Sequence, residues 1–113
     1  MLNSFYQSMV GANPWVQIWI ITMTELLADL NLQRFALGGV VSQFHLFAGT
    51  ILYIVLAMQL AFGFKTMGIG WLNGAWDGTS TLVSVLAGWA LGEKLTGKQW
   101  IGLCLIIVGL YCL

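Results

Sequence analysis

The sequence predicts an all-α protein, an integral membrane bundle of four transmembrane helices. Hydrophobic residues make up 59% of the 113 residues and charged residues only 7%, a balance that an ordinary soluble domain of this size does not show. The mean hydropathy is +0.88. Polar segments divide the chain into four apolar runs, and because a spanning helix needs about 20 residues, four spans use nearly the whole chain. We therefore expect one membrane domain over residues 13–113, preceded by an N-terminal extension over residues 1–12.

The breaks between the four runs are recognisable in the sequence. The first run starts after Pro14, which suits the first position of a helix, and covers residues 15–32. Two consecutive glycines precede the second run, residues 43–64, whose interior carries no charge. The third run, residues 67–91, is rich in glycine, and the polar segment LGEKLTGKQW leads into the fourth, residues 99–113. These bounds predict four helices joined by short turns.

The charge balance and the cysteines exclude several classes of function. Four basic and four acidic residues cancel, so no basic face is available for nucleic acid. Cys104 and Cys112 are eight residues apart in one apolar run, roughly 12 Å at helical rise, which is too far for a disulfide within the helix. His45 stands alone near the start of the second run and receives no role. Because no cysteine and histidine cluster, nucleophile motif or phosphate-binding loop is present, we expect no metal, no cofactor and no enzymatic activity.

Small residues recur at regular intervals in the third and fourth runs. Gly70, Gly74 and Gly78 are spaced every four residues, and Gly102 and Gly109 are seven apart. Such rows allow helix backbones to approach closely in lipid. For each row, packing within the bundle and a dimer interface are equally good interpretations.

Glu25 is the most informative residue of the first run. An ionisable group inside a span costs roughly 2.5 to 3.5 kcal/mol on insertion scales, so it requires a partner or a function. Thr22, Glu25 and Asp29 share one helical stripe, which must face protein or a water-filled cavity. Two ionised acids there would repel each other, so at least one should hold a proton near neutral pH. We predict that Glu25 exchanges a proton for a cation; the alternative is a protonated Glu25 that bonds a neighbouring helix as structural support.

Four other polar or aromatic residues are candidates for the same site. Asp29 lies near the helix end, where it either contributes to the site or reaches water or Arg34. Asp77 either lines the cavity, if the third helix bends at its glycines, or bonds backbone freed by that bend. Tyr53 and Trp76 are either packing residues or aromatic faces for a hydrophobic cation beside a buried carboxylate.

These residues resemble a known family, the small multidrug resistance transporters of the drug/metabolite transporter superfamily. The segment NPW, residues 13–15, followed by Glu25 eleven positions after the proline, is similar to the start of that family. Tyr53 falls where the family has a tyrosine in its second helix, and AWDG, with Trp76, is similar to its third-helix motif. The segment LGEKLTGKQWIGL resembles the third turn and the entry to the fourth helix across the superfamily.

The resemblance implies an antiparallel, dual-topology homodimer. In such a dimer the two Glu25 carboxylates would form one site that binds either protons or a cationic substrate, lined by Tyr53 and Trp76. Bending of the third helix would switch access to the site. Gly102 and Gly109 match the glycines with which the family pairs its fourth helices between protomers.

The sequence also departs from the family pattern. Gly78 is followed by Thr79 where the family has a glycine pair, and Asn73 stands where it has a tyrosine. Asp29 and Asp77 are acids that the pattern lacks. These departures suggest a more polar cation as substrate, a protein that forms one half of a heterodimer, or a fold that has lost transport.

The sequence as a whole predicts a proton-coupled exporter of small organic or lipophilic cations, with Glu25 as the shared proton and substrate site. We expect a multi-pass protein of the plasma (inner) membrane that contacts membrane lipids and works as a homodimer or paired heterodimer. The main alternative is a structural membrane protein inside a larger assembly, for example a virion membrane, without transport activity. A third hypothesis is one subunit of a paired lipid-carrier flippase.

Overall fold

The computed structural model describes residues 13–39 and 42–113, and these form four α-helices without strands. Helix α1 covers Pro14–Leu37, α2 covers Ser42–Gly63, α3 covers Ile69–Ala90 and α4 covers Gly97–Tyr111. The all-α class and the four helical segments predicted from the sequence are thus confirmed. The predicted extension over residues 1–12 lies outside the described residues.

The capping residues explain where α1 begins and ends. The Asn13 side chain accepts a hydrogen bond from the Trp15 N–H at 2.9 Å, and Pro14 occupies the first helical position, where its missing N–H is not needed. The helix ends at Gly38, whose φ of 84° favours glycine. The predicted end at residue 32 was too early, because the following segment QRFAL, residues 33–37, contains good helix formers and no breaking residue.

Helix α4 begins with a capping box. The Thr96 side chain accepts from the Gln99 N–H at 3.2 Å, and the Gln99 side chain accepts from the Thr96 N–H at 2.8 Å. Both bonds satisfy backbone donors at the start of the helix. The helix therefore starts at Gly97, two residues before the predicted start.

Helix α1 lies at the centre of the helix packing. It packs against α2 and α3, and α3 also packs against α4, so the main contacts follow the lateral order α2, α1, α3, α4. The ends of α2 and α3 also meet, because a Cβ on Gly63 would lie 3.1 Å from Leu72 Cδ2. Helix α1, which carries Glu25, therefore has packed neighbours on two sides.

The buried core is small and the outer surface is strongly apolar. The core lies between α1, α2 and α3, and consists of Ile18, Ile21, Leu56, Met67, Leu72 and Ala75. Large hydrophobic side chains cover the outside, among them Phe47 with 66% and Leu105 with 67% of the side chain exposed. Soluble monomers rarely expose apolar surface on this scale, and such patches are typical of contact with protein partners or with membranes.

Helix α2 is long and apolar enough to cross a membrane, with 22 residues. Among the described helices it is the one that meets both criteria. Helix α4 is apolar but has 15 residues. In α1 the hydropathy is lowered by Glu25 and Asp29, and in α3 by Asp77.

Two glycines allow close helix contacts. A Cβ on Gly49 of α2 would lie 2.8 Å from Leu32 Cδ2 of α1, and one on Gly78 of α3 would lie 2.7 Å from Leu110 Cδ2 of α4. Gly74 has only ordinary contact, with Leu113. Gly78 thus packs within the chain. A Cβ on Gly70, Gly102 or Gly109 would meet open space.

Candidate functional site

The candidate site lies at the seam where α1 packs against α3, and its central residue is Glu25. Glu25 is half-buried, and the Trp76 indole N–H and the Ser80 hydroxyl on α3 lie beside its carboxylate as hydrogen-bond donors. Glu25 Oε2 and Trp76 Nε1 are both buried, and neither completes a well-aligned hydrogen bond with any of the described residues. A carboxylate acceptor and an indole donor therefore face each other at one place, and both are incompletely satisfied.

The stripe of α1 that carries Glu25 faces inward. Thr22, one turn before Glu25, is 1% exposed, and its hydroxyl is buried without a partner in the described part of the chain. Asp29, one turn after Glu25, is half-buried. Met23 and Leu27 point outward and are exposed. The helical period thus places three polar side chains on the packed face and apolar side chains on the outer face.

Asp29 is bonded to Tyr53. The Tyr53 hydroxyl of α2 donates to Asp29 Oδ1, and Tyr53 lies within electrostatic range of both Asp29 and Glu25. The sequence had offered Arg34 as a partner for Asp29. Five helical positions place Arg34 on a different side of α1 from Asp29, since neighbours on a helix face are three or four residues apart.

Two further polar pairs join α1 and α2, and sequence analysis missed both. Gln59 Nε2 donates to Thr24 Oγ1 at 3.1 Å, and His45 Nδ1 lies 3.0 Å from Asn31 Oδ1. With the Asp29 pair between them, they form a row of polar contacts along the α1–α2 seam. In a hairpin with a short turn, residues at similar distances from the turn meet. The sequence does contain a signal for these pairs: polar residues occur on both apolar helices at similar distances from the turn that joins them.

Asp77 lies apart from the α1–α3 seam. Its neighbour Trp76 faces Glu25, whereas Asp77 is exposed on the outside of α3 and influences Glu25 only electrostatically. Helix α3 is continuous through Gly74 and Gly78. The backbone N–H and carbonyl groups around Asp77 therefore remain in the helical ladder.

A cavity of about 220 Å³ opens between α1 and the end of α3. Its polar lining comes from Asp29, Gln33, Ser84 and Glu93, and none of its lining residues is basic. Glu93 packs its carboxylate over Gly88, where an added Cβ would lie 2.9 Å from Glu93 Cδ. Asp29 thus stands between this cavity and Tyr53. Sequence analysis did not select Glu93, because it read the segment around it only as a turn.

The site contains carboxylates, an indole and hydroxyls. The described residues include no group of three or more histidine, cysteine or acidic side chains that could hold a metal ion. Comparison of the chain with protein-family models, with curated proteins and with solved structures found no match. The side chains that the structure brings together at the seam are therefore the basis for a functional proposal.

Proposed function

We propose that this protein is a membrane-embedded, proton-coupled exporter of small organic or lipophilic cations, of the small multidrug resistance type. The observation that carries the proposal is the α1–α3 seam, where buried polar atoms of Thr22, Glu25 and Trp76 have no partner among the described residues. Buried polar groups are normally paired, and unpaired ones require an explanation. A carboxylate among unpaired donors in an apolar layer is suited to hold a proton or a cation.

The aromatic residues support a membrane location. Trp15 and Trp71 form a T-shaped pair with ring centroids 5.3 Å apart where α1 and α3 begin, and Trp89 and Trp100 form another at 5.7 Å where α3 ends and α4 begins. Trp71 and Trp89 are 18 residues apart on α3, roughly 27 Å at helical rise. A hydrocarbon core is about 30 Å thick, and tryptophan concentrates at its two interfaces. The two pairs therefore fit the two faces of a bilayer.

The mechanism follows from the Glu25 carboxylate, which can bind a proton or a cation but not both at once. Glu25 can hold a proton or pair with a cation, and either event removes an unpaired charge from the apolar layer. The Trp76 ring beside it offers an aromatic face, which attracts a desolvated cation. A cation arriving from one side displaces the proton, and a proton arriving from the other side displaces the cation. If the site opens first to one side of the membrane and then to the other, this displacement produces proton antiport and efflux of the cation.

A second copy would complete the site. Glu25 is only partly buried in the single chain, so one chain alone does not enclose it. An antiparallel homodimer, or a pair with a similar chain, would cover it and bring two Glu25 carboxylates together. The open space beside Gly102 and Gly109 leaves one face of α4 available for such pairing. Membrane lipids would cover the remaining apolar surface, in the plasma (inner) membrane of a cell.

The decisive experiment measures cation movement in liposomes. The protein is reconstituted, a proton gradient is imposed, and uptake of guanidinium and of the aromatic cation tetraphenylphosphonium is followed for the unaltered protein, Glu25→Gln and Glu25→Asp. We expect gradient-driven uptake with the unaltered protein, retained but altered uptake with Glu25→Asp, and none with Glu25→Gln. Uptake that persists in Glu25→Gln contradicts the carboxylate mechanism.

A structural role within a larger membrane assembly is the second candidate. The observation that favours it is the extent of exposed apolar surface on both ends of the lateral order, on α2 and α4. Neighbouring subunits would cover this surface as well as lipid would. In that case no cation is transported, and Glu25→Gln leaves assembly and stability unchanged.

A further inference from the structure

We propose that Asp29 is a positioning residue that holds the Tyr53 hydroxyl away from Glu25, which leaves the Glu25 carboxylate free for its cation. The hydrogen bond itself is independent of what the protein transports, whereas the consequence for cation binding rests on the proposed function. The inference starts from the bond that Tyr53 donates to Asp29 Oδ1 across the α1–α2 seam.

Two carboxylates act on Tyr53: Asp29 accepts its hydrogen bond, and Glu25 interacts with it electrostatically. Asp29 and Glu25 are four residues apart on α1, so they lie on neighbouring positions of one face, separated by about 6 Å along the axis. The Tyr53 ring projects from the facing helix and interacts electrostatically with both carboxylates. A phenol has a single O–H donor. A hydroxyl bonded to Asp29 is therefore withheld from Glu25.

The surroundings explain why Tyr53 would turn to Glu25 if Asp29 were lost. The charged groups around the pair are acidic: Glu25 on the same helix, Asp77 acting on Glu25 from α3, and Glu93 in the cavity that Asp29 also lines. His45, on the same helix as Tyr53, contacts Asn31 instead. Tyr53 is exposed on the single chain, so under the proposed membrane location its hydroxyl faces lipid. An unpaired hydroxyl in lipid is costly, and a bond to a charged acceptor is stronger than one to a neutral acceptor. Of the two carboxylates that act on Tyr53, Glu25 is then the one that remains to accept the released hydroxyl.

The positioning role has a consequence for ligand binding. A Tyr53 hydroxyl bonded to Glu25 would stabilise the carboxylate without a cation, and the cation would have to displace that bond. Asp29 prevents this competition by accepting the bond itself. The row of polar contacts along the α1–α2 seam includes the bond from Gln59 to Thr24. This row keeps α2 in register with α1, so that Tyr53 stays opposite Asp29.

The first test observes the hydrogen bond without any cation. Infrared difference spectra with ring-labelled tyrosine, taken against Tyr53→Phe, isolate the C–O stretching band of Tyr53 in lipid bilayers. We expect the band of a donor to carboxylate in the unaltered protein and also in Asp29→Leu, where Glu25 accepts the bond, and its loss in the double variant Asp29→Leu with Glu25→Gln. Loss of the band in Asp29→Leu alone overturns the proposal. Tyr111→Phe is the matched control, because Tyr111 is 92% exposed.

The second test measures cation affinity at one pH, with tetraphenylphosphonium and guanidinium as probes. Asp29→Asn removes the charge but keeps an acceptor for Tyr53, whereas Asp29→Leu removes both. We expect Asp29→Leu to bind roughly tenfold more weakly than Asp29→Asn, since a hydrogen bond to a charged group has to be displaced. Adding Tyr53→Phe to Asp29→Leu should restore the affinity of Asp29→Asn, which a merely structural role would not predict.

The two tests separate the two proposals. Equal affinities of Asp29→Leu and Asp29→Asn, or no recovery with Tyr53→Phe, overturn the positioning role even if the unaltered protein transports cations. If neither cation binds to any variant or to the unaltered protein, the transport proposal fails, and the infrared bands still decide whether Asp29 withholds Tyr53 from Glu25.

Discussion

Gly49 of α2 lies so close to Leu32 of α1 that a Cβ on the glycine would be 2.8 Å from Leu32 Cδ2. The backbone of α1 is close as well, because the same Cβ would lie 3.2 Å from the carbonyl oxygen of Ala28. Rotation of the leucine relieves the first contact but not the second. This contact fixes the distance between the two helices that carry Asp29 and Tyr53.

Replacing Gly49 with alanine should therefore destabilise the protein despite the higher helix propensity of alanine. We expect a loss of about 1 to 2 kcal/mol in the free energy of unfolding, because overpacking costs about 1 to 3 kcal/mol and the helix propensity of alanine offsets about 1 kcal/mol of it. Denaturant titration in detergent micelles, followed by circular dichroism, measures it. Gly70→Ala in α3 is the control, because an added Cβ there meets open space and the helix should become no less stable. Equal stabilities of the two variants would contradict the close α1–α2 contact.

Sequence patterns identified the helices but only part of the site. Apolar runs and breaking residues gave all four segments, and the period of α1 gave the inward stripe through Thr22 and Glu25, because both depend on local spacing. The bond between Tyr53 and Asp29 depends on the register of two helices, which spacing along one helix does not determine. The same limit applies to Gly49, whose importance comes from Leu32 on another helix.

The aromatic ring of Trp76 and its indole N–H should both contribute to cation binding. Trp76→Phe keeps an aromatic face but removes the indole N–H, which is buried and faces the Glu25 carboxylate. We expect cation affinity to fall about three- to tenfold, because phenylalanine attracts cations less strongly than tryptophan does. Trp76→Leu should reduce it further. Equilibrium binding of tetraphenylphosphonium measures both effects.

Trp89→Phe is the matched control for this prediction. Trp89 pairs with Trp100 at the far end of α3, outside the seam, so its substitution should leave cation affinity unchanged. If Trp89→Phe lowered cation affinity as much as Trp76→Phe does, the effect of Trp76→Phe would come from a general loss of stability and not from the binding site.

Thr22→Val should separate stability from function. Valine has nearly the shape of threonine, and its introduction removes a hydroxyl that is buried without a partner among the described residues. We expect unfolding free energy to stay equal or to rise by about 1 kcal/mol, because the cost of burying an unpaired hydroxyl disappears. Proton-driven cation uptake should fall, since the hydroxyl lies one turn from Glu25. Thr24→Val is the comparison: Thr24 is bonded to Gln59 and Ile20, so its loss should destabilise the protein.

One result with Thr22→Val would show that the α1–α3 seam is not a functional site. If Thr22→Val raised stability and left uptake unchanged, the unpaired hydroxyl would be a packing residue and not part of a site. Stabilising substitutions that reduce activity are typical of functional sites, where local strain or unpaired groups are retained for use.

The membrane location predicts the reactivity of Cys104. Both cysteines are free and exposed, Cys104 on α4 and Cys112 directly after its last residue, so in water either would react with a maleimide. Cys104 is seven residues from the start of α4, about 10 Å along the helix, which places it inside the hydrocarbon layer if α4 lies in a bilayer. In Cys112→Ser protein reconstituted in liposomes, Cys104 should resist a charged maleimide and react after unfolding in sodium dodecyl sulfate. Lys98→Cys in a protein without the two native cysteines is the control and should react in intact liposomes, because position 98 lies at the polar start of α4. Rapid labelling of Cys104 in intact liposomes would show that the outer face of α4 meets water and not lipid. The apolar side chains on that face would then have to be covered by a protein partner in the assembled state.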